Sequence, residues 1–384
     1  MYSVYQHWDP LKVCAVGASY PPEFYSYIAN AKVRNVMERI AAETEEDYQK
    51  LITLLHSFGV ETIRPYIGNS IDEYLLPSGK FAPPPMTPRD YTAMIGEVFY
   101  TRNAETSIVY NELKGSSWPE NPKTIADWKN LPDVIKNELT NEFHIDIDHM
   151  VNHEILLNAW GPIYTNIKRA GNKINFNSHF NSAMTFRIGK DLYHGTPENF
   201  TEKNLEDFAH LSAEKFPDYR THIVETGGHA DSTYCPVVPG LIISLHDVPT
   251  YAETFPGWEV VYLPGQSWTA VQSFLDIKEK NKGKWWVPGE ELNDEFTNFV
   301  EQWLGNWVGY VEETVFDVNM LVIDEKNVVC NNYNKAVFDA FNRHGITPHI
   351  VNFRHRYFWD GGLHCITADI HREGTQKDYF PERG

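Results

Sequence analysis

Apolar positions along the chain come in short runs broken at glycine or proline, and one arrangement recurs: an apolar strand, a tight turn and a second apolar strand. Tyr91–Tyr100 reads YTAMIGEVFY and turns at Gly96-Glu97. Ala183–Tyr193 reads AMTFRIGKDLY and turns at Gly189-Lys190. Ser232–Ser244 reads STYCPVVPGLIIS and turns at Pro239-Gly240, and Asn319–Cys330 reads NMLVIDEKNVVC, turning around Glu325-Lys326. Gly and Pro-Gly supply the backbone angles that hairpins need. Between hairpins the period lengthens to that of a helix. Val36, Met37, Ile40, Tyr48, Leu51, Ile52 and Leu55 fall mostly on one helical face, Gly59 is placed to stop that helix, and Val60–Arg64 reads as a strand. The order returns near the C-terminus, where Lys335–His344 reads as a helix, Gly345 as its stop and Ile346–Phe353 as a strand.

The unit is strand–strand–helix–strand, a ββαβ module repeated at irregular spacing. Such repeats leave an apolar face that only a neighbouring repeat can cover. The expected fold is therefore α/β, one closed repeat-built domain spanning residues 1–384. Length alone, at roughly 150 residues per domain, suggests two or three domains, but no low-complexity linker divides the chain. Pro83–Pro88, its richest turn segment, leads into a motif instead of ending a domain.

Composition fits a globular protein, with 42% hydrophobic and 22% charged residues. Lys plus Arg is 33 and Asp plus Glu is 52, a net charge of −19 that is repelled by nucleic acid and by anionic lipid. Met1–Gly17 lacks the basic and apolar regions of a signal peptide, and no apolar stretch approaches the ~20 residues that span a bilayer. Four cysteines without a CxxC form neither a disulfide framework nor a zinc ribbon. These features lead us to expect a soluble, cytoplasmic protein with no nucleic-acid or membrane partner.

Candidate chemistry is concentrated in a few places. Cys365 sits in WDGGLHCITADIHREG, after Gly361 and Gly362, which let a backbone or ligand approach closely. It is either a nucleophile or a core thiol beside a turn. Cys14, Cys235 and Cys330 lie in apolar runs and read as inert. His229 and Asp231, in ETGGHADSTYC, would share one side of an extended segment as a general base and a cation anchor, or else belong to a polar loop. Asp90 precedes a strand, where a carboxylate is usually a cap or turn residue. His144, Asp146, Asp148, His149, His153 and Glu154 crowd into FHIDIDHMVNHE, and His149 and His153 share a helical face, but no defined ligand pattern such as HExxH is present. No metal and no cofactor is expected.

Taken in order, these stretches resemble the amidinotransferases, which include the arginine:glycine and arginine:inosamine-phosphate enzymes. The resemblance is carried by Trp8-Asp9-Pro10-Leu11 with Gly17, Pro88-Arg89-Asp90, Phe186-Arg187 with Gly189 and Asp191, and His229-x-Asp231-Ser232-Thr233 with Pro239-Gly240. It continues through Asn319 to Lys326 and Gly361-Gly362-Leu363-His364-Cys365 with Thr367, Asp369, Arg372 and Gly374. It implies a five-bladed α/β propeller with pseudo-fivefold symmetry. It also implies transfer of an amidino group from a guanidino donor, L-arginine in the family, to a primary amine through an amidino-cysteine intermediate. Cys365 resembles the nucleophile, His229 the general acid/base, and Asp90 and Asp231 the carboxylates that hold the guanidinium. Arg89 falls among the substrate-binding residues.

Three positions depart from the family. The acid that partners the catalytic histidine falls on Asn181, the arginine that grips the donor's carboxylate falls on Val248, and a serine pair falls near Glu312 and Glu313, which are counted as substrate-binding. The changes at Val248 and at Glu312-Glu313 favour a cationic or neutral group where the family binds an anion, so glycine is expected to be a poor acceptor, and a diamine or an amino group on a neutral carbon frame a better one. The segment from His144 to Trp160 reads as an insertion. The alternatives are a guanidino hydrolase on the same scaffold, or a binding protein that lost its chemistry at Asn181 and whose thiol alkylates no faster than free cysteine. The resemblance leaves monomer and homodimer both open.

Overall fold

The computed structural model describes residues 1–101, 110, 114, 118–119, 122, 125–143, 146–176, 182–197, 216–245, 251–263, 285–308 and 315–383. In chain order the strands are β1 (Leu11–Val16), β2 (Glu61–Ile63), β3 (Thr92–Ile95), β4 (Val98–Thr101), β5 (Lys173–Phe176), β6 (Thr185–Ile188), β7 (Asp191–Pro197), β8 (Arg220–Gly227), β9 (Tyr234–Val238), β10 (Leu241–Ser244), β11 (Glu259–Tyr262), β12 (Leu321–Asp324), β13 (Asn327–Cys330), β14 (Thr347–Ile350) and β15 (Thr367–Arg372). They form five three-stranded sheets, ordered β15-β1-β2, β3-β4-β5, β6-β7-β8, β9-β10-β11 and β12-β13-β14. In every sheet the first pair is antiparallel and the second parallel. A parallel pair needs a crossover. The helix Ala31–Ser57 supplies one in the first sheet and Lys335–His344 another in the last. The fold is thus mixed α/β, built of the repeated module.

The local signals explain these elements. Asn30 opens the long helix by accepting the N–H of Lys32, and the face of Val36, Met37, Ile40, Tyr48, Leu51, Ile52 and Leu55 is buried, each such side chain contributing about 1.5–3 kcal/mol. Gly59 follows that helix at φ 73° and Gly345 ends Lys335–His344 at φ 69°, the left-handed angle that glycine adopts without a Cβ penalty. The expected hairpins form at their turns, with one consistent difference. Each first strand begins a residue or two late, at Thr92, Thr185, Tyr234 and Leu321, because a short helical turn precedes it. Those turns include Pro88–Tyr91, Ser182–Met184, Ala230–Ser232 and Val315–Val318.

A buried charge cluster joins the sheets. Asp369 on β15 accepts Arg89 Nη1 at 2.6 Å, Arg187 Nη2 at 2.8 and 2.9 Å, and Arg372 Nε at 2.8 Å. All four side chains are at most 2% exposed. Burial alone would raise the Asp369 pKa, but Arg187, Arg89 and Arg372 overcome it and hold the carboxyl well below its ordinary value. Arg372 also reaches the Val322 carbonyl on β12 at 2.8 Å. The segment read as an insertion forms the helix Ile147–Ala159, capped by Asp146.

Candidate active site

The turns that delay the strands carry the chemistry. Asp90 lies in the turn before β3, His229 and Asp231 at the turn before β9, Asn319 just before β12, and His364 and Cys365 just before β15. The repeat therefore delivers equivalent positions of different modules to one place. Asn319 is the joint between them. Its Oδ1 accepts the backbone N–H groups of His364 at 2.8 Å and Cys365 at 3.2 Å, while its Nδ2 donates to the Asp231 carbonyl at 3.1 Å and to Cys365 Sγ at 3.0 Å. Gly362 is required here, because a Cβ on it would sit 2.5 Å from Asn319 Oδ1. What Gly362 admits is thus the amide of Asn319, whereas Gly361 lies against Thr87 and Ile366.

Asp231 is shared between the two residues of the Cys365 turn. Its Oδ2 accepts His364 Nδ1 at 2.8 Å and the thiol of Cys365 at 3.4 Å, and its Oδ1 is buried without a partner. Burial alone would lift this carboxyl, but His364, then His229 and Arg89, bring it below the ordinary value. Burial, followed by the charge of Arg89, lowers His364 against the pull of Asp231. Burial, followed by Asp231 and Asp90, pushes the Cys365 thiol well above its usual range, and the Asn319 amide offsets only part of this.

His229 and Asp231 do not share one side of an extended segment. Ala230–Ser232 is a 3-10 turn, which buries Asp231 and leaves the His229 side chain 43% exposed. His229 Nδ1 instead lies 4.0 Å from Asp90 Oδ1. Burial lifts Asp90 to about 6, with His229 opposing and Asp231 adding to the rise. Arg89 does not face the substrate side of its turn. Its guanidinium is held by Asp369 and, at 3.1 Å, by the Thr367 carbonyl, and its backbone N–H donates to the Cys365 carbonyl at 3.4 Å. Asn181, Val248, Glu312 and Glu313 lie outside the described residues, as does His144. His149 and His153 approach to 2.9 Å between their Nε2 atoms. Among the described residues no three His, Cys, Asp or Glu side chains are grouped to hold a metal, and no helix is long and apolar enough to cross a membrane.

A cavity of about 180 Å³ adjoins Asp90, lined also by Tyr91, Leu156, Trp307, Trp359 and Asp360. The site thus gathers carboxylates around a thiol held in its protonated form. A planar cation entering beside Asp90 and Asp231 would reverse the repulsion on the sulfur and favour thiolate. Sequence reasoning assigned no role to Asn319, His364 or Asp360. The signal that would have found the first two is positional: each lies one to three residues ahead of the first strand of a module.

No protein-family model matches the chain. Its sequence and fold are nonetheless similar to those of the amidinotransferases. A mitochondrial glycine amidinotransferase of Xenopus tropicalis is 24% identical over 414 residues, covering 98% of this chain and 84% of that protein. An L-arginine:L-lysine amidinotransferase of Pseudomonas savastanoi pv. phaseolicola is 23% identical over 422 residues, covering 98% and 96%. In fold, an amidinotransferase of the saxitoxin biosynthetic pathway from Microseira wollei superposes with a TM-score of 0.61 at 16% identity, covering 99% of each chain.

Proposed function

We propose that this chain is an amidinotransferase, moving an amidino group from a guanidino donor, L-arginine in the first instance, to a primary amine through an amidino-cysteine intermediate. The observation that carries the reading is the meeting of Cys365, Asp231, Asp90 and His229, from three separate modules, in a chain similar to amidinotransferases along nearly its whole length. Asp90 and Asp231 hold the planar cation. The Cys365 sulfur attacks the central guanidinium carbon, the carbon–nitrogen bond to the donor's amine breaks, and the thiol proton leaves with that amine by way of His229. In the second half His229 takes a proton from the acceptor, whose nitrogen attacks the same carbon as the carbon–sulfur bond breaks. Asp90 supplies the acid beside His229 that the family pattern places at Asn181. Arg89 acts as a positioning residue, fixing the Asp90 turn to β15.

The five sheets are the blades of a five-bladed propeller forming one domain. Pairing of β15 with β1 supports this, since the first sheet then draws on both ends of the chain. The place of action is the cytoplasm, in keeping with four cysteines that are all free.

The test is intact-mass analysis with arginine alone, followed by product analysis with a panel of amines. An amidino adduct, lost in Cys365→Ala, together with ornithine that accumulates only when an amine is present, is expected. Catalytic release of citrulline and ammonia without an amine would make the protein a hydrolase, and full activity in Cys365→Ala would end the mechanism.

A further inference from the structure

The carboxylate of Asp360 has no part in that mechanism, yet it stands at the same cavity. Asp360 ends the short helix Arg356–Trp359 with its N–H on the Arg356 carbonyl, at φ 51° and ψ 47°. Among the described residues it is the one non-glycine with a positive φ. Trp307 and Trp359 line the cavity with it. Trp307 donates its ring N–H to the Phe81 carbonyl at 2.8 Å, and Trp359 to the Thr44 hydroxyl at 2.8 Å. The two rings stack with centroids 6.1 Å apart. These walls are therefore set before a ligand arrives.

The charges around Asp360 are one-sided. Burial lifts its carboxyl to about 6, with Asp90 and Asp231 raising it and His229 opposing. No arginine is among those influences, in contrast to Asp90 and Asp231, which both feel Arg89. Asp231 is 2% exposed, and its unpartnered Oδ1 leaves the group short of a donor. When His229 is neutral, as it must be to accept a proton from an amine, the charges that act on Asp360 are those of Asp90 and Asp231.

We propose that Asp360 is a specificity-determining residue: with Asp90, Trp307 and Trp359 it forms a subsite for a second cationic group, selecting a diamine acceptor over one whose far end is a carboxylate. The inference deepens the reading of the site given above and rests on it.

The test uses the full chain, Asp360→Asn and Asp360→Gly. Asn and Gly both adopt the left-handed backbone readily, so the fold is retained. Calorimetric titration measures putrescine and 4-aminobutyrate binding to each protein, without need of turnover. Wild type is expected to prefer putrescine, and both variants to bind it about tenfold more weakly, between the scales of exposed and buried ion pairs. Binding of 4-aminobutyrate should be unchanged or tighter. Putrescine binding that is absent from wild type, equal in all three proteins, weakened in only one variant, or matched by 4-aminobutyrate would overturn the subsite. Intact-mass analysis with arginine alone reports the donor half-reaction separately. A missing adduct with intact diamine discrimination would strike the proposed chemistry, whereas a normal adduct with no discrimination would strike the subsite alone.

Discussion

Replacing Asn319 with alanine tests whether one amide both builds the nucleophile's turn and tunes its sulfur. The change removes four hydrogen bonds. The N–H groups of His364 and Cys365, now 2.8 and 3.2 Å from Oδ1, lose their acceptor in a buried site. At about 1–3 kcal/mol for each orphaned group, stability should fall by about 2–6 kcal/mol, toward the lower end if water fills the space left by the amide. The sulfur loses the donor now at 3.0 Å. A hydrogen bond to an ionised partner contributes about 1.5–3 kcal/mol, equivalent to about one to two pKa units. Burial, with Asp231 and Asp90, already holds the thiol up, so losing the donor raises it further. At a fixed pH below the thiol's pKa, thiolate and the rate of alkylation should drop about 10–100-fold. Asn319→Asp keeps an acceptor for both N–H groups but replaces the donor with another carboxylate, so it should alkylate more slowly still. The assays are urea unfolding and iodoacetamide labelling read at the Cys365 peptide. An alanine variant within about 1 kcal/mol of wild type, or labelled as fast, would refute the reasoning.

Other predictions follow from the same groups. Asp369→Asn withdraws the charge shared by three buried arginines and should cost about 3–5 kcal/mol, read as a lower urea midpoint or lost soluble yield; a variant as stable as wild type would remove the cluster from the account of the fold. Because the folded Asp369 carboxyl is depressed, its contribution is complete above the unfolded value of about 3.9 and fades as pH drops toward the lower folded value, so wild type should lose stability steeply in acid below about pH 4. Asp360 behaves oppositely: its raised carboxyl penalises the folded state when ionised, so Asp360→Asn should raise the urea midpoint at pH 8 and leave it unchanged at pH 4. With Asp90 lifted to about 6, kcat/KM for a guanidino donor should decline as pH falls through 6, and Asp90→Asn should lower it at every pH and flatten that decline.

The hairpins were legible because their turns need residues that few others can replace. Gly96, Gly189 and Gly240 all have positive φ, at 56°, 63° and 91°, and apolar alternation runs up to each. The site was legible mainly through resemblance. Local pattern alone misjudged His229 and Asp231, since an extended reading of ETGGHADSTYC cannot foresee the 3-10 turn that sends the two side chains to different surroundings. Arg89 was unreadable for a related reason: its counter-ion, Asp369, lies 280 positions along the chain. The thiol's environment also changes what a labelling experiment means. Burial and two carboxylates hold Cys365 protonated, so slow alkylation of the unliganded protein does not separate a binding protein from an enzyme.

The cluster at Asp369 connects fold to chemistry. Arg89 ties the Asp90 turn to β15, Arg187 ties β6 to the same carboxylate, and Arg372 extends the tie to β12. The remaining sheet joins through Asn319, whose amide holds the Asp231 carbonyl. Each turn named in the site is thus braced by a polar contact to another module, which is how short loops keep the geometry that group transfer needs. The cluster is also unbalanced, with three guanidiniums around one carboxylate. The excess positive charge reaches outward, since Arg89 lowers both Asp231 and Asp90, but at Asp231 burial is outweighed by the lowering influences, led by the His364 hydrogen bond, while at Asp90 burial and the charge of Asp231 prevail. Two acids in one pocket are thereby driven apart in affinity for protons, Asp231 fixed as an anion and Asp90 poised near neutrality beside His229. The division of labour between them originates in His364, whose ring nitrogen is bonded to Asp231 at 2.8 Å and is not among the influences on Asp90.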